Sequence, residues 1–146
     1  MNIRLYQAED FASCVELFVE TFKDEPWNDQ WSLEQAGHYL QDFTLTPGFK
    51  GFVAEDDGTV NGFIFGAGKR WWSGDEFFIN EMCVRSTGQR AGIGTGMFAF
   101  LEEQLTADGF KGMALLTDRG IPAEAFYLKN GFEEVERIVF LAKDLD

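Results

Sequence analysis

The sequence is short of the residues that staple a chain, ligate a metal or carry positive charge. Among 146 positions there are 2 cysteines, 1 histidine and 3 prolines. Cys14 and Cys83 are too few for a disulfide framework and suit a reducing cytoplasm. A single histidine, His38, and no cysteine cluster offer no metal site, and none is expected. Basic residues are scarce as well: 12 Lys and Arg stand against 25 Asp and Glu, for a net charge of −13. Such a surface repels phosphate backbones, so no nucleic-acid partner is expected, and it gathers cations instead. No apolar run reaches the roughly 18 residues of a membrane span. Residues Met1 to Asp10 lack the basic and apolar regions of a secretory signal. The expectation is a cytoplasmic protein with no membrane partner.

What the sequence has in quantity is phenylalanine, at 16 residues, within an apolar fraction of 45%. That excludes wholesale disorder and supplies a core without staples. The length suits one domain, taken as 1–146, with no repeat or linker to divide it. A short strand is expected at Ile3 to Leu5. A helix with Phe11, Val15, Phe18 and Phe22 on one face follows, and Pro26 stops it. Ser32 and Gln35 predict a capping box that opens a second helix, with Leu33, Ala36, Leu40 and Phe43 on one side. Phe49 to Glu55 and Val60 to Phe65, joined by Asp56-Asp57-Gly58-Thr59, read as a hairpin. A longer strand spans about Glu76 to Val84. A helix carrying Met97, Phe98, Leu101 and Leu105 comes next, then a short strand at Met113 to Thr117. Pro122 opens a fourth helix that Asn130-Gly131 ends. Glu133 to Ala142 alternates polar and apolar residues and predicts a last strand. The order β-α-α-β-β-β-α-β-α-β implies an α/β (α+β) fold, a mixed sheet with helices packed on it.

The strongest candidate site is the turn Val84-Arg85-Ser86-Thr87-Gly88-Gln89-Arg90-Ala91-Gly92-Ile93-Gly94-Thr95-Gly96, between a strand and a helix. Glycines there let a ligand approach the backbone, and the amides at the helix start favour an anion such as phosphate. The turn is not a P-loop, because no Gly-Lys-Ser/Thr follows a glycine at the required spacing. Nor is it a dinucleotide fingerprint, because Met97 stands where Gly or Ala is required. A glycine-rich turn without a ligand is the alternative.

Gln89-Arg90-Ala91-Gly92-Ile93-Gly94 resembles the Gln/Arg-x-x-Gly-x-Gly/Ala signature of the GNAT superfamily, the GCN5-related N-acetyltransferases. Ala123-Glu124-Ala125-Phe126-Tyr127-Leu128-Lys129-Asn130-Gly131-Phe132 resembles the family's second landmark. Glu25-Pro26-Trp27-Asn28 with Trp31 is similar to a subgroup of small bacterial members. The chain departs at Gly120, where members often have Asn, so a side-chain contact near the pantetheine or the catalytic centre is either missing or supplied by Asp118.

The resemblance implies a mixed, mostly antiparallel central sheet with helices on both faces and a splayed parallel strand pair. It implies transfer of acetyl from acetyl-CoA directly to an amine, without a metal. On that basis the backbone of Met82, Cys83 and Val84 pairs with pantetheine, and Gln89, Arg90, Ala91, Gly92, Ile93, Gly94 and Thr95 cradle the pyrophosphate. Tyr127 matches the tyrosine near the coenzyme sulfur that often serves as general acid, with a packed core aromatic as the alternative. Glu81, a carboxylate in an apolar run, suits a general base. Its alternative is a salt bridge with Arg85 or Arg137. Cys83 reads as a small buried apolar residue, and His38 as structural or surface.

In this fold the connection between the first two helices borders the acceptor pocket. Asp24, Glu25, Trp27 and Trp31 there join carboxylates to indole faces, which suits an organic cation. A solvated acidic loop is the alternative. The loop Gly68 to Gly74 is a candidate opposite wall. The expected acceptor is a small cationic amine, aminoglycoside-like or polyamine-like. Protein N-termini or lysines are the alternative acceptors, and a non-catalytic CoA-binding regulatory module is the alternative of another class. A homodimer is compatible with the sequence.

Overall fold

Alternating and clustered apolar residues become strands in this chain wherever a turn brings a partner alongside. The computed structural model describes residues 1–86 and 92–146. The chain forms two compact units, Met1–Leu116 and Thr117–Asp146. The first holds β1 (Asn2–Leu5), a 3-10 turn (Ala8–Asp10), α1 (Phe11–Phe22), α2 (Leu33–Thr44), β2 (Phe49–Asp56), β3 (Thr59–Lys69), β4 (Glu76–Val84), α3 (Ile93–Ala107) and β5 (Gly112–Leu115). The strands lie in the order β1-β2-β3-β4-β5. The first four are antiparallel, and β5 runs parallel to β4. That is the mixed sheet the sequence implies.

Local signals account for the joints. The β2–β3 hairpin turns on Asp57 and Gly58, both at positive φ (48° and 81°). This is the arrangement a two-residue turn needs to match strand twist. At the start of α2, Gln35 N–H donates to Ser32 Oγ and Ser32 N–H donates to Gln35 Oε1, both at 3.0 Å. The capping box is therefore complete.

Helices cover both faces of the sheet. Cys14, Leu17 and Phe18 of α1 and Ala36 and Leu40 of α2 pack on Val53, Phe63, Phe65 and Cys83. On the other face Phe52 meets Phe100 of α3 and Phe77 of β4 edge-on, over buried Met97 and Leu101. The burial of so many large side chains is the main stabilising term, at roughly 1.5–3 kcal/mol for each fully buried Leu, Ile, Met or Phe.

One ionic joint ties β1 to this core. Arg4 donates through both terminal nitrogens to Asp10 at 2.8 Å and through Nε to Glu55 at 3.1 Å. Asp10 also accepts from Gln7 N–H and is only 8% exposed. The Arg4 guanidinium holds the Asp10 carboxyl below its usual range. Stability from this pair is therefore present above the ordinary carboxylate pKa and is lost as pH falls. Asp10→Asn should cost about 2–4 kcal/mol near neutrality by leaving Arg4 half-partnered. Urea unfolding should find that cost shrinking as the pH drops below about 4.

The second unit contains α4 (Pro122–Lys129), whose end explains a stretch of sequence. Gly131 has φ 95°. Its N–H donates to the Leu128 carbonyl, and Phe132 N–H donates to the Tyr127 carbonyl, both at 3.1 Å. These are the two bonds of a Schellman cap, in which glycine takes the left-handed position. The Tyr127 and Phe132 rings meet at 5.9 Å, the apolar contact such caps carry. The run Tyr127-Leu128-Lys129-Asn130-Gly131-Phe132 is thus a helix terminus written into the sequence.

The strand expected over Glu133 to Ala142 does not form. Residues 133–146 hold no regular element, and a turn closes from Val135 to Ile138 at 3.1 Å. Val139 and Leu141 are 71% and 85% exposed. Alternation marks which face of a strand would be buried, but it does not supply the partner that makes a strand.

Candidate active site

The decisive irregularity lies in β4. Its register against β3 shifts between Phe65↔Glu81 and Gly66↔Ile79, so Asn80 is an extra residue opposite one step of β3. An added residue reverses which face the following side chains occupy. Before it, Phe77 and Ile79 point to the α3 face. After it, Glu81 and Cys83 share the faces of their partners Phe65 and Phe63, beneath α1 and α2. Without the bulge Glu81 would lie on the face that α3 covers.

On the α1–α2 face Glu81 meets α2. The Tyr39 hydroxyl donates a hydrogen bond to Glu81 Oε1. Burial pushes the Glu81 carboxyl up to about 7; the Tyr39 hydrogen bond works against that rise, and the Asp29 carboxylate adds to it. No salt bridge forms at Glu81 among the described residues. Arg85 is engaged elsewhere, with Glu20 at 3.2 Å and with the Asn61 side chain and Val60 carbonyl at 3.0 Å. A carboxyl poised near neutrality and free of a cation is equipped to take and return a proton.

Trp31, which contacts the Tyr39 ring, helps line an open cleft of about 380 Å³ together with Asp29, Gln30 and Gln35. Trp31 Nε1–H donates to Asp29 Oδ2 at 3.3 Å. The Trp31 ring lies 5.0 Å from that of Tyr39, tilted by 32°. Trp27 packs edge-on against Phe22 at 4.8 Å. Asp24 and Glu25 are exposed. Of the four residues predicted to face an acceptor, the two tryptophans are thus anchored in the core's rim, and only Trp31 lines the cleft. Asp29 belongs to the acidic segment that sequence places beside Trp27 and Trp31, and Gln35 is read there only as a cap; Tyr39 is the residue that sequence reasoning missed. The signal for Tyr39 was its position, three residues after Ala36 and four before Phe43, on the inward stripe of α2.

Further along β4, pairing with β5 ends at Ile79↔Leu115 while β4 runs on to Val84. β5 itself ends at Leu115, so β4 runs on past the end of its parallel partner. Cys83 is buried with its thiol pushed up to about 12, chiefly by desolvation, and Sγ–H points to the Leu17 carbonyl at 3.8 Å. It is a small core residue, not a nucleophile. His38 is exposed on α2.

Helix α3 begins at Gly92, which caps it in the left-handed conformation at φ 79° and offers no side-chain cap. The first helical bond runs from Gly96 N–H to the Gly92 carbonyl at 2.9 Å. The amides of Ile93, Gly94 and Thr95 precede it and have no acceptor within the helix. Gln89, Arg90 and Ala91, also predicted to contact the coenzyme, lie outside the described residues.

In the second unit Tyr127 sits on α4, half-buried, with its ring 5.7 Å from Phe126. Gly120 has φ 83°, and its N–H donates to Glu124 Oε1 at 2.8 Å. The left-handed backbone suits glycine at this position, and Glu124 closes the turn.

The family model described as "Acetyltransferase (GNAT) family" matches residues 11–132. The chain belongs to that family. It is accordingly an acetyl-CoA-dependent N-acetyltransferase. Among solved structures it resembles a possible acetyltransferase from Clostridium difficile 630, with 17% identity, 99% of this chain and 98% of that one covered, and a TM-score of 0.82. It also resembles the aminoglycoside N-acetyltransferase AAC(6')-Iy in complex with CoA, at 19% identity over 99% and 95% of the chains, with a TM-score of 0.75. A third likeness is the aminoglycoside acetyltransferase meta-AAC0020 from an uncultured soil metagenomic sample, in complex with sisomicin. There the identity is 19% over 99% and 96% of the chains, and the TM-score is 0.77. At these identities the likenesses establish the fold. A search of the curated proteins finds no match in sequence. Among the described residues no helix of this acetyltransferase is long and apolar enough to cross a membrane.

Proposed function

We propose that this acetyltransferase acetylates an amine of a small cationic molecule, aminoglycoside-like or polyamine-like, with Glu81 as general base. The observation that carries the reading is Glu81 itself, buried, held by Tyr39, poised at about 7 and linked through the Tyr39 ring to the Asp29–Trp31 cleft. Bound acetyl-CoA supplies an activated acetyl group as a thioester. Two features of the first unit fit it: β4 continues past its β5 partner, and the first amides of α3 lack helical acceptors. In this reading the backbone of Met82, Cys83 and Val84 pairs with the pantetheine arm. The amides of Gly92, Ile93, Gly94 and Thr95 take the pyrophosphate, whose charge the helix dipole favours. Gln89, Arg90 and Ala91 complete that cradle by their place in the family signature.

Glu81 accepts the proton of the acceptor ammonium, which frees the nitrogen lone pair for attack. Tyr127 donates the proton that the departing thiolate requires; its place in the second family landmark supports this role. Trp27 and Trp31 offer ring faces to the cationic acceptor, and Asp24, Glu25 and Asp29 offer charge. The family match runs through both compact units, which supports reading 1–146 as one acetyltransferase domain. A cytoplasmic location agrees with two free cysteines.

Tyr127→Phe keeps the ring and the helix cap and removes the proton donor. Turnover should fall about 10²–10⁴-fold while acetyl-CoA binding by calorimetry is kept; a loss below about fivefold would make Tyr127 a packing residue.

The acceptor class is tested by thiol release from acetyl-CoA across polyamines, aminoglycosides and lysine peptides. With a net charge of −13, the Michaelis constant of a polycation should rise with salt. The Debye length falls from about 10 Å at 0.1 M to about 3 Å at 1 M. A preferred acceptor with net negative charge would refute the cationic reading.

A further inference from the structure

Tyr39 has more contacts than a rim aromatic on α2 needs. Its ring centroid lies 5.0 Å from Trp31, 4.9 Å from Phe43 and 5.7 Å from Phe18. That surround leaves the phenol little freedom, and its hydroxyl ends on Glu81 Oε1. Among the described residues the one hydrogen bond to the Glu81 carboxylate is at Oε1. The two oxygens of one carboxylate are therefore unlike: one is gripped from α2, and the other is not held by any described residue.

We propose that Tyr39 is the positioning residue of the reaction, its hydroxyl fixing Glu81 by Oε1 so that Oε2 is presented to the acceptor amine. The inference rests on the reading of Glu81 as general base. The packed ring sets the direction of the bond, since a Tyr held by three aromatic neighbours cannot follow a carboxylate that swings away. The same ring stacks on Trp31, which lines the cleft, so the wall that receives the acceptor and the arm that orients the base share one side chain. An acceptor pressing on Trp31 is thereby registered against Glu81.

Few charged groups face Glu81. Tyr39 does so from α2, Asp29 from the segment ahead of α2, and Cys83 from two residues along β4; its partner on β3 is Phe65. The hydroxyl bond is the one influence among these that favours the carboxylate form. Removing it must move the titration of Glu81 upward. A residue that merely filled space would not do this.

The test is Tyr39→Phe, which keeps every ring contact. Carbon-13 NMR of the glutamate carboxyls, with Glu81→Gln to assign the signal, should find Glu81 titrating about one pH unit or more above wild type. This arm needs no acceptor. With acetyl-CoA and spermidine or kanamycin A as probes, the acid limb of kcat/KM should move up by the same amount, and the rate at neutral pH should fall about fivefold or more. An unmoved carboxyl signal, with Glu81→Gln still inactive, would overturn the role of Tyr39 alone. A shifted signal with an unmoved acid limb would overturn Glu81 as base, and the present inference with it.

Discussion

Glu81→Gln should lower kcat/KM by about 10²–10⁴-fold and abolish its acid limb near neutrality. Glutamine keeps the shape of the side chain and, through its amide oxygen, can still accept from Tyr39. What it loses is the ability to hold a proton. Stability should move the other way. Burial raises the Glu81 carboxyl to about 7, from an ordinary value of 4.5. A group raised on folding contributes stability below its unfolded pKa and forfeits it as pH rises through the folded one. Wild type should therefore lose stability between roughly pH 4.5 and 7 through this residue, and Glu81→Gln should not. Near pH 8 the variant should be more stable by about 2–3 kcal/mol, as read by denaturant unfolding. An inactive but stabilised protein separates a functional carboxylate from a structural one. A destabilised variant would make Glu81 part of the scaffold.

Gly94→Asp should weaken acetyl-CoA binding by about 100-fold or more in calorimetry, with circular dichroism unchanged. Gly94 is buried in the first turn of α3. Aspartate is a favourable residue in a first turn, because its charge complements the helix dipole. The helix should therefore survive the change. The ligand should not, because the new carboxylate occupies the same field as the pyrophosphate and can take the amides meant for it. Each charge-assisted hydrogen bond lost contributes about 1.5–3 kcal/mol, so one or two account for the predicted factor. Retained affinity would remove this turn from the coenzyme site.

The elements legible in the sequence are those with local causes. Ser32 and Gln35 announce the start of α2, Asp57-Gly58 the hairpin, and Asn130-Gly131 the end of α4. Each signal lies within a few residues of the event it specifies. The burial of Glu81 was legible for a related reason: a carboxylate inside Phe77 to Val84 is either ion-paired or raised in pKa by burial, and burial raises it here. Two features were not legible. The bulge at Asn80 arises from pairing between β3 and β4, and no single strand carries the signal. Tyr39 meets Glu81 only because that bulge turns β4 over, across 42 residues of sequence. The same dependence on a partner explains the missing strand at Glu133 to Ala142. Its alternation satisfied the local criterion, and the pairing that would have completed it lies beyond any local rule. Trp31, expected from sequence to face an acceptor, lines the open cleft. Its geometry came from the indole bond to Asp29, which depends on how the connection between α1 and α2 folds back.

The measurement that bears most directly on the account is product analysis over a pH series. Wild-type protein is incubated with acetyl-CoA and a panel of polyamines and aminoglycosides, and free coenzyme A thiol and acetylated amine are quantified together. The account predicts one acetylated amine for each thiol released, at a rate that rises with pH through an apparent pKa near 7. Thiol release without acetylated amine, or transfer whose rate ignores pH across that range, would contradict it.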